Sequence, residues 1–145
     1  MTNLSVPAVV IDTMAVSALV NASRRPELAA GYSSLIAGRS IKISFNTVTE
    51  MRYGALRAGW GELRRRGLER DLGRFVVVQP DGPLVAVCSE LRASCEAKGQ
   101  ALGQKVHEAD RWIAATAVRL GVELVSDDGG FQNVEGLVVR SRRDG

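Results

Sequence analysis

His107–Phe131, HEADRWIAATAVRLGVELVSDDGGF, is the stretch that decides the fold. Apolar residues at Ala109, Ile113, Ala117 and Leu120 recur at the spacing of one helix face. Glu108 and Asp110 fall in the first turn of that helix, where its dipole favours carboxylates. Gly121 supplies the stop. Val122–Val125 is then a short apolar run bounded by breakers, as a buried strand is. The strand empties into Ser126, Asp127, Asp128 and two glycines. One acid therefore starts a helix and another lies just past a strand end. In open α/β sheets, sites form outside the carboxyl ends of the strands.

Working outward, the rest of the chain repeats the pattern. Ala8–Ile11 reads as a first strand buried on both faces and ending at Asp12, followed by a short helix over Thr13–Val20. Pro26 suits the first turn of a second helix that runs to about Ala37 and stops at Gly38. Ile41–Phe45 is the second strand. The third helix opens at Asn46 and Thr47 with Val48, Met51, Ala55 and Ala58 as its apolar face. A basic helix, ELRRRGLERDLGR, precedes a third strand over Phe75–Val78. A fifth helix spans Leu84–Lys98, and Gly99–Val106 reads as loop. Leu137–Val139 is a last short strand, and 141–145, SRRDG, reads as a frayed tail. Strands alternating with helices predict one α/β domain over 1–145 with a central parallel sheet. The long connections suit right-handed crossovers.

A chain of 145 residues has the size of one domain and can bury a core without disulfide or metal support. No apolar run approaches the roughly 20 residues of a membrane helix. The start, MTNLSVPAVVID, lacks a basic region and reaches an acid early, so a secretory signal is not expected and a cytoplasmic location is. The net charge of +3 permits a polyanionic partner without demanding one. Cys88 and Cys95 lie seven positions apart on one helix, roughly 10 Å along its axis, too far for a disulfide. With a single histidine, zinc-finger and Cys- or Ser-His-Asp chemistry have little support.

Four acids remain. Each has a bland reading: Asp12 as a turn or helix cap, Glu50 as the far end of a Thr47–Glu50 capping box, Asp110 as a dipole partner, and Asp128, beside Asp127, as a turn former before Gly-Gly. Together they are harder to dismiss, because all four fall where strands end or helices begin. Converging carboxylates repel unless cations join them, and hard divalent ions such as Mg²⁺ or Mn²⁺ suit such a pocket. Those ions support phosphodiester hydrolysis.

The chain resembles the PIN-domain family, in particular VapC-type toxins of toxin–antitoxin modules, over nearly its whole length. The resemblance is carried by VVIDTMAVSAL, with Asp12; by ISFNTVTEMRYGA, with Glu50; and by ADRWIAATAVRLGVELVSDDGGFQNVEGL, with Asp110 and Asp128. It implies a sheet of order 3-2-1-4-5 and a Mg²⁺- or Mn²⁺-dependent endoribonuclease that inhibits translation. It also implies a VapB-type antitoxin partner and a homodimer. Asp12 and Asp110 are then the first metal ligands, with Glu50 and Asp128 completing the site directly or through waters. Ser126 takes the place where the family often has a supporting hydroxyl. Ala109 stands where many members have Asn before the third acid. The doublet leaves Asp127 or Asp128 as the fourth acid, and the spacing of two from Ser126 favours Asp128.

Other residues carry weaker signals. Arg64, Arg65 and Arg66, flanked by Arg57 and Arg70, read as a solvated face rather than an RNA track. Arg111 could serve the site or pair with a neighbouring acid. Arg140, Arg142 and Arg143 could contact RNA phosphates or nothing. His107 could donate a proton, though a helix-entry hydrogen bond is the simpler role. Trp112 reads as core, and Trp60, between two glycines, as an interface residue or a stacking surface. A phosphotransferase with Asp12 as nucleophile is disfavoured by Met14 two positions on, and a nucleotide-binding module by the lack of a Gly-rich first turn. The rival of another class is a catalytically silent PIN fold that only binds RNA or an antitoxin.

Overall fold

β1 (Ala8–Ile11) is the axis of the structure: its last three residues are fully buried, and it is flanked by strands on both sides. The computed structural model describes residues 7–144. In chain order, β1 is followed by α1 (Thr13–Val20), α2 (Pro26–Ile36), β2 (Ser40–Ser44), α3 (Phe45–Arg57), α4 (Glu62–Leu72) and β3 (Val76–Val78). Then come α5 (Gly82–Ala97), α6 (Glu108–Leu120), β4 (Leu124–Val125) and β5 (Val139–Arg140). The five strands form one sheet in the order β3-β2-β1-β4-β5, as expected from the resemblance. Every pairing is parallel, with Val10 opposite both Lys42 and Leu124.

Alternation along β1 divides the core in two, because successive side chains leave opposite faces of a strand. Val9 and Ile11 join Ile43 and Val125 under a cluster completed by α1, α2, α3 and α4 residues such as Val16, Tyr32, Ala55 and Leu68. Val10 and Leu124 face Leu84, Leu91, Cys95, Ile113 and Ala117 of α5 and α6. Helices on both faces of a parallel sheet are the layered arrangement predicted. Cys88 and Cys95 are buried free thiols in the second cluster, matching their reading as small core residues.

Several local expectations are corrected. α3 begins at Phe45, one residue early, because the Ser44 hydroxyl accepts from the Asn46 amide and caps it. Glu50 is therefore too far into the helix to close a capping box. α6 is buried over Arg111 and Ile113–Ala117, much broader than one stripe, since it packs on α5 and the sheet together. Leu120 and Ala58, assigned to apolar faces, are exposed at helix ends. The segment read as loop after Gly99 contains two 3-10 turns, Ala101–Gly103 and Lys105–His107. β5 is Val139–Arg140 rather than Leu137–Val139. The tail is not frayed over 141–144: Ser141 is buried and its hydroxyl donates to Asp127 Oδ1 at 2.8 Å. Residues 1–6, where the absence of a secretory signal was read, and Gly145 lie outside the described residues.

Candidate active site

Because the sheet is parallel, β1, β2 and β4 end on one edge, and the helices that follow them begin there. Asp12 leaves β1 as the N-cap of α1: its Oδ1 accepts from the Ala15 amide at 2.9 Å. Its Oδ2 accepts from the Ser126 hydroxyl at 2.5 Å, from the first residue past β4. Ser126, fully buried, also accepts from the Asp128 amide at 3.0 Å. One hydroxyl thus ties the acid after β1 to the loop that carries the last acid. Asp128 turns that loop by accepting from the Gly130 amide at 2.8 Å.

Glu50 and Asp110 arrive on helices. Glu50 is carried by α3 to the side of Thr13, whose hydroxyl also pairs with that of buried Thr47 at 3.0 Å. Asp110 lies in the first turn of α6, with His107 Nδ1 at 3.6 Å from its Oδ2. His107 stands at the N-cap of α6 but makes no capping hydrogen bond there, so the expected helix-entry bond is not formed.

Electrostatics shows what these groups have in common. Burial raises the Asp12 carboxyl above the ordinary range, opposed by Ser126 and the Ala15 amide, and the charges of Asp110 and Asp127 raise it further. Burial raises Glu50 too, Thr13 opposes, and the Asp110 charge adds to the rise. Asp110 is itself raised by burial and then by the charge of Asp128, with His107 opposing. Asp110 therefore sits at the centre, coupled by repulsion to Asp12, Glu50 and Asp128. Among the described residues no three Asp, Glu, His or Cys side chains form a ready-made metal cluster. The donor set nonetheless fits a hard divalent ion. It is all carboxylate oxygen, and burial, with the neighbouring charges adding to it, disfavours the ionised forms of Asp12, Glu50 and Asp110 that a cation would stabilise.

Asp127 lies at the same edge, but its carboxylate is committed to other partners. Its Oδ1 accepts from the Ser141 hydroxyl and the Arg142 amide, at 2.8 and 2.9 Å. Its Oδ2 accepts from Arg142 Nε at 2.6 Å and from the Tyr32 hydroxyl at 3.3 Å. Burial pushes its carboxyl up, but these donors outweigh it and hold it below the ordinary range. Asp127 is spent on anchoring the tail, which favours Asp128 as the fourth acid of the set.

A cleft of about 420 Å³ opens beside these groups, lined by Asp12, Asp127 and Asp128 and by Arg25, Arg142 and Arg143, with Tyr32 in its wall. Arg25 and Tyr32 carried no signal in the sequence: they come from α2 and its entry and reach the acids only through the fold. Arg111, by contrast, is not at the site. It is buried and donates to the carbonyls of Leu102 and Gln104, at 2.6 and 3.0 Å. The arginine run on α4 is spread around its helix: Arg66 pairs with Glu62, and Arg64 stacks 3.7 Å over the half-buried Trp60 ring. Trp112 packs edge-on against Phe45, with ring centroids 5.2 Å apart.

A family model of the PIN domain matches residues 9–137. The chain is also similar to solved structures. One is VapBC2 from Rickettsia felis bound to a DNA fragment from their promoter: 21% identity, TM-score 0.76, covering 92% of this chain and 98% of that one. Another is DNA-bound VapBC from Salmonella typhimurium: 23% identity, TM-score 0.72, covering 94% and 98%. A third is VapBC-1 from nontypeable Haemophilus influenzae: 23% identity, TM-score 0.71, covering 93% and 98%. At these identities the likeness is one of fold. No curated protein matches the chain by sequence.

Proposed function

The chain belongs to the PIN-domain family, and from that premise we propose that it is a divalent-metal-dependent endoribonuclease, the toxin of a type II toxin–antitoxin module. The observation that carries the reading is the placement of Asp12, Glu50, Asp110 and Asp128 where β1 and β4 end and α3 and α6 begin, with buried Ser126 bonded to both Asp12 and the Asp128 amide. In this reading the four acids hold Mg²⁺ or Mn²⁺. When bound, such an ion supplies Lewis-acid activation of water and neutralises charge developing on a phosphodiester.

The chain's own residues do the rest. The Ser126 hydroxyl and the Ala15 amide each hold one oxygen of the Asp12 carboxylate. Asp110 is presented at the head of a helix whose body is core, so its backbone is pre-positioned. Glu50 is supplied by α3, where burial raises its carboxyl and the Thr13 hydroxyl opposes that rise.

The partners follow from the same reading: an RNA substrate, a VapB-type antitoxin and a second copy of the chain. The similar structures named above are, by their descriptions, VapBC assemblies. Among the described residues no helix is long and apolar enough to cross a membrane. A cytoplasmic location and a single domain over 1–145 belong to the proposal. The competing reading, a silent fold that only binds, is disfavoured because all four acids are present and electrostatically coupled.

The test is cleavage of total cellular RNA by the purified protein with Mg²⁺, Mn²⁺ or EDTA, beside Asp110→Asn. Metal-dependent cutting that the variant lacks supports the nuclease and its site. Metal binding with no cutting, at any RNA tried, favours the binding protein instead.

A further inference from the structure

The cleft holds more than the acids. Of its six charged residues, Asp127 and Arg142 neutralise each other across a 2.6 Å ion pair. That leaves Asp12 and Asp128 facing Arg25 and Arg143. Neither arginine enters an ion pair among the described residues. Arg143 donates from Nη1 to the Asp127 carbonyl at 3.1 Å, which uses one of the five N–H groups a guanidinium carries. Its backbone amide is in turn held by the Ser141 hydroxyl at 3.1 Å.

We propose that Arg25 and Arg143 form a phosphate clamp for the RNA strand, and that Asp127 is the positioning residue that sets Arg143 in it. The inference rests on the nuclease reading and adds to it the residues that hold the substrate. The physical grounds are threefold. Guanidinium groups match phosphate oxygens with paired donors. The two arginines line the same cleft as Asp12 and Asp128, so a strand held by one set is presented to the other. And the tail is built for placement: Asp127 receives Ser141, Arg142 and Arg143, while the Arg142 guanidinium lies 5.1 Å over the Tyr32 ring and its Cδ packs on Gly31 of α2. Four hydrogen bonds from the tail to Asp127 are thus committed to placing this segment.

The experiment measures binding, so that it does not depend on turnover. A fluorescein-labelled single-stranded RNA of mixed sequence is titrated with the Asp110→Asn protein in Mg²⁺, at several salt concentrations. Each lost phosphate contact lowers the slope of log K against log salt by about 0.7 for a single strand. Arg25→Gln and Arg143→Gln are each expected to lower it by about that much. Arg119→Gln, which removes the same charge from the far end of α6, is expected to leave it unchanged. Asp127→Ala keeps the carbonyl that holds the Arg143 guanidinium but removes the carboxylate that anchors Ser141 and the Arg142 amide beside it; it is expected to lower the slope in the direction of Arg143→Gln, with no further loss when the two are combined.

If the parent binds RNA and the Arg25 and Arg143 variants keep its slope, the clamp is wrong and the nuclease reading stands. Additive effects of Asp127→Ala and Arg143→Gln would sink the positioning role. If the Asp110→Asn parent and the wild-type protein bind no RNA at all, the nuclease reading falls and the clamp falls with it.

Discussion

Ser126→Ala removes a single oxygen from the centre of the site, and the structure sets what that should cost. The hydroxyl donates to Asp12 Oδ2 at 2.5 Å, and both residues are buried. A hydrogen bond to a charged acceptor contributes about 1.5–3 kcal/mol, and an acceptor left unpaired in the interior cannot recover it from water. The Asp128 amide loses its acceptor as well, but it lies nearer solvent and is satisfied more cheaply. The expected loss is about 2–3 kcal/mol at pH 7.5, or roughly 5–10 °C in Tm for a chain of this size. The loss should depend on pH. Ser126 favours the ionised Asp12, whose folded-state value lies above the ordinary range because of burial. As pH falls through that value the acceptor is neutralised, and the penalty should shrink towards the ~1 kcal/mol of a neutral bond. Asp12→Asn should shrink it in the same way at any pH. Urea unfolding at pH 7.5 and pH 4, in all four combinations of the two substitutions, reads this directly. A loss below about 0.5 kcal/mol, or one identical at both pH values, would refute the charge-assisted bond as the organiser of the site.

Other outcomes follow from the same geometry. A carboxyl raised in the folded state binds more protons folded than unfolded between its two values, so stability falls as pH rises through that interval. Asp110 is such a group; without metal, Asp110→Asn should be more stable than wild type at pH 7, and the gain should vanish near pH 3, which paired denaturation curves would check. Mg²⁺ or Mn²⁺ at a hundred times its Kd should raise wild-type stability by about 2.7 kcal/mol; no shift in Tm at millimolar metal would remove the proposed site. Gly103→Ala places a Cβ 2.5 Å from the Glu96 amide nitrogen and 2.8 Å from its Cα. Backbone cannot yield as a flexible side chain can, so a loss of about 3 kcal/mol or more is expected in chemical denaturation, and a near-neutral result would contradict that packing.

The strands, and the places along the chain where acids follow them, could be read from the sequence because both are local signals. Apolar runs ending in Asp12 or in Ser126-Asp127-Asp128 mark strand ends wherever the strands sit. The bland readings of those acids are correct in three of four cases: Asp12 caps α1, Asp110 lies in the first turn of α6, and Asp128 caps a 3-10 turn. Capping and convergence are not alternatives here. Helix starts on a parallel sheet lie on one edge, so residues chosen as caps become neighbours. Only Glu50 loses its local role, because Ser44 takes the cap.

What stayed hidden depends on long separations. Ser126 meets Asp12 across 114 positions, and Tyr32 meets Asp127 across 95. The resemblance marks Ser126 as a supporting hydroxyl without naming its partner, and nothing in the sequence links Tyr32 to Asp127. The tail was misread for the same reason: SRRDG is polar and terminal, and its anchor over 141–144 is Asp127, 14 positions before Ser141. Arg111 misled by its position. It follows Asp110 in sequence, but successive residues on a helix point about 100° apart, so it turns into the core while Asp110 stays partly exposed at the head of α6.

That buried arginine gives the segment before α6 an unusual standing. By its irregular geometry, 99–107 resembles surface loops, which open easily and exchange their amides early. Yet Arg111 holds its carbonyls at Leu102 and Gln104, Leu102 is 1% exposed, and Gly103 lies against the α5 backbone. To release those contacts the core around α5 and α6 must open as well. In hydrogen exchange, the segment should therefore behave as part of the slowest unit of the molecule, opening with α6 rather than ahead of it. The acid at the head of that helix is then held by the most persistent structure the chain has.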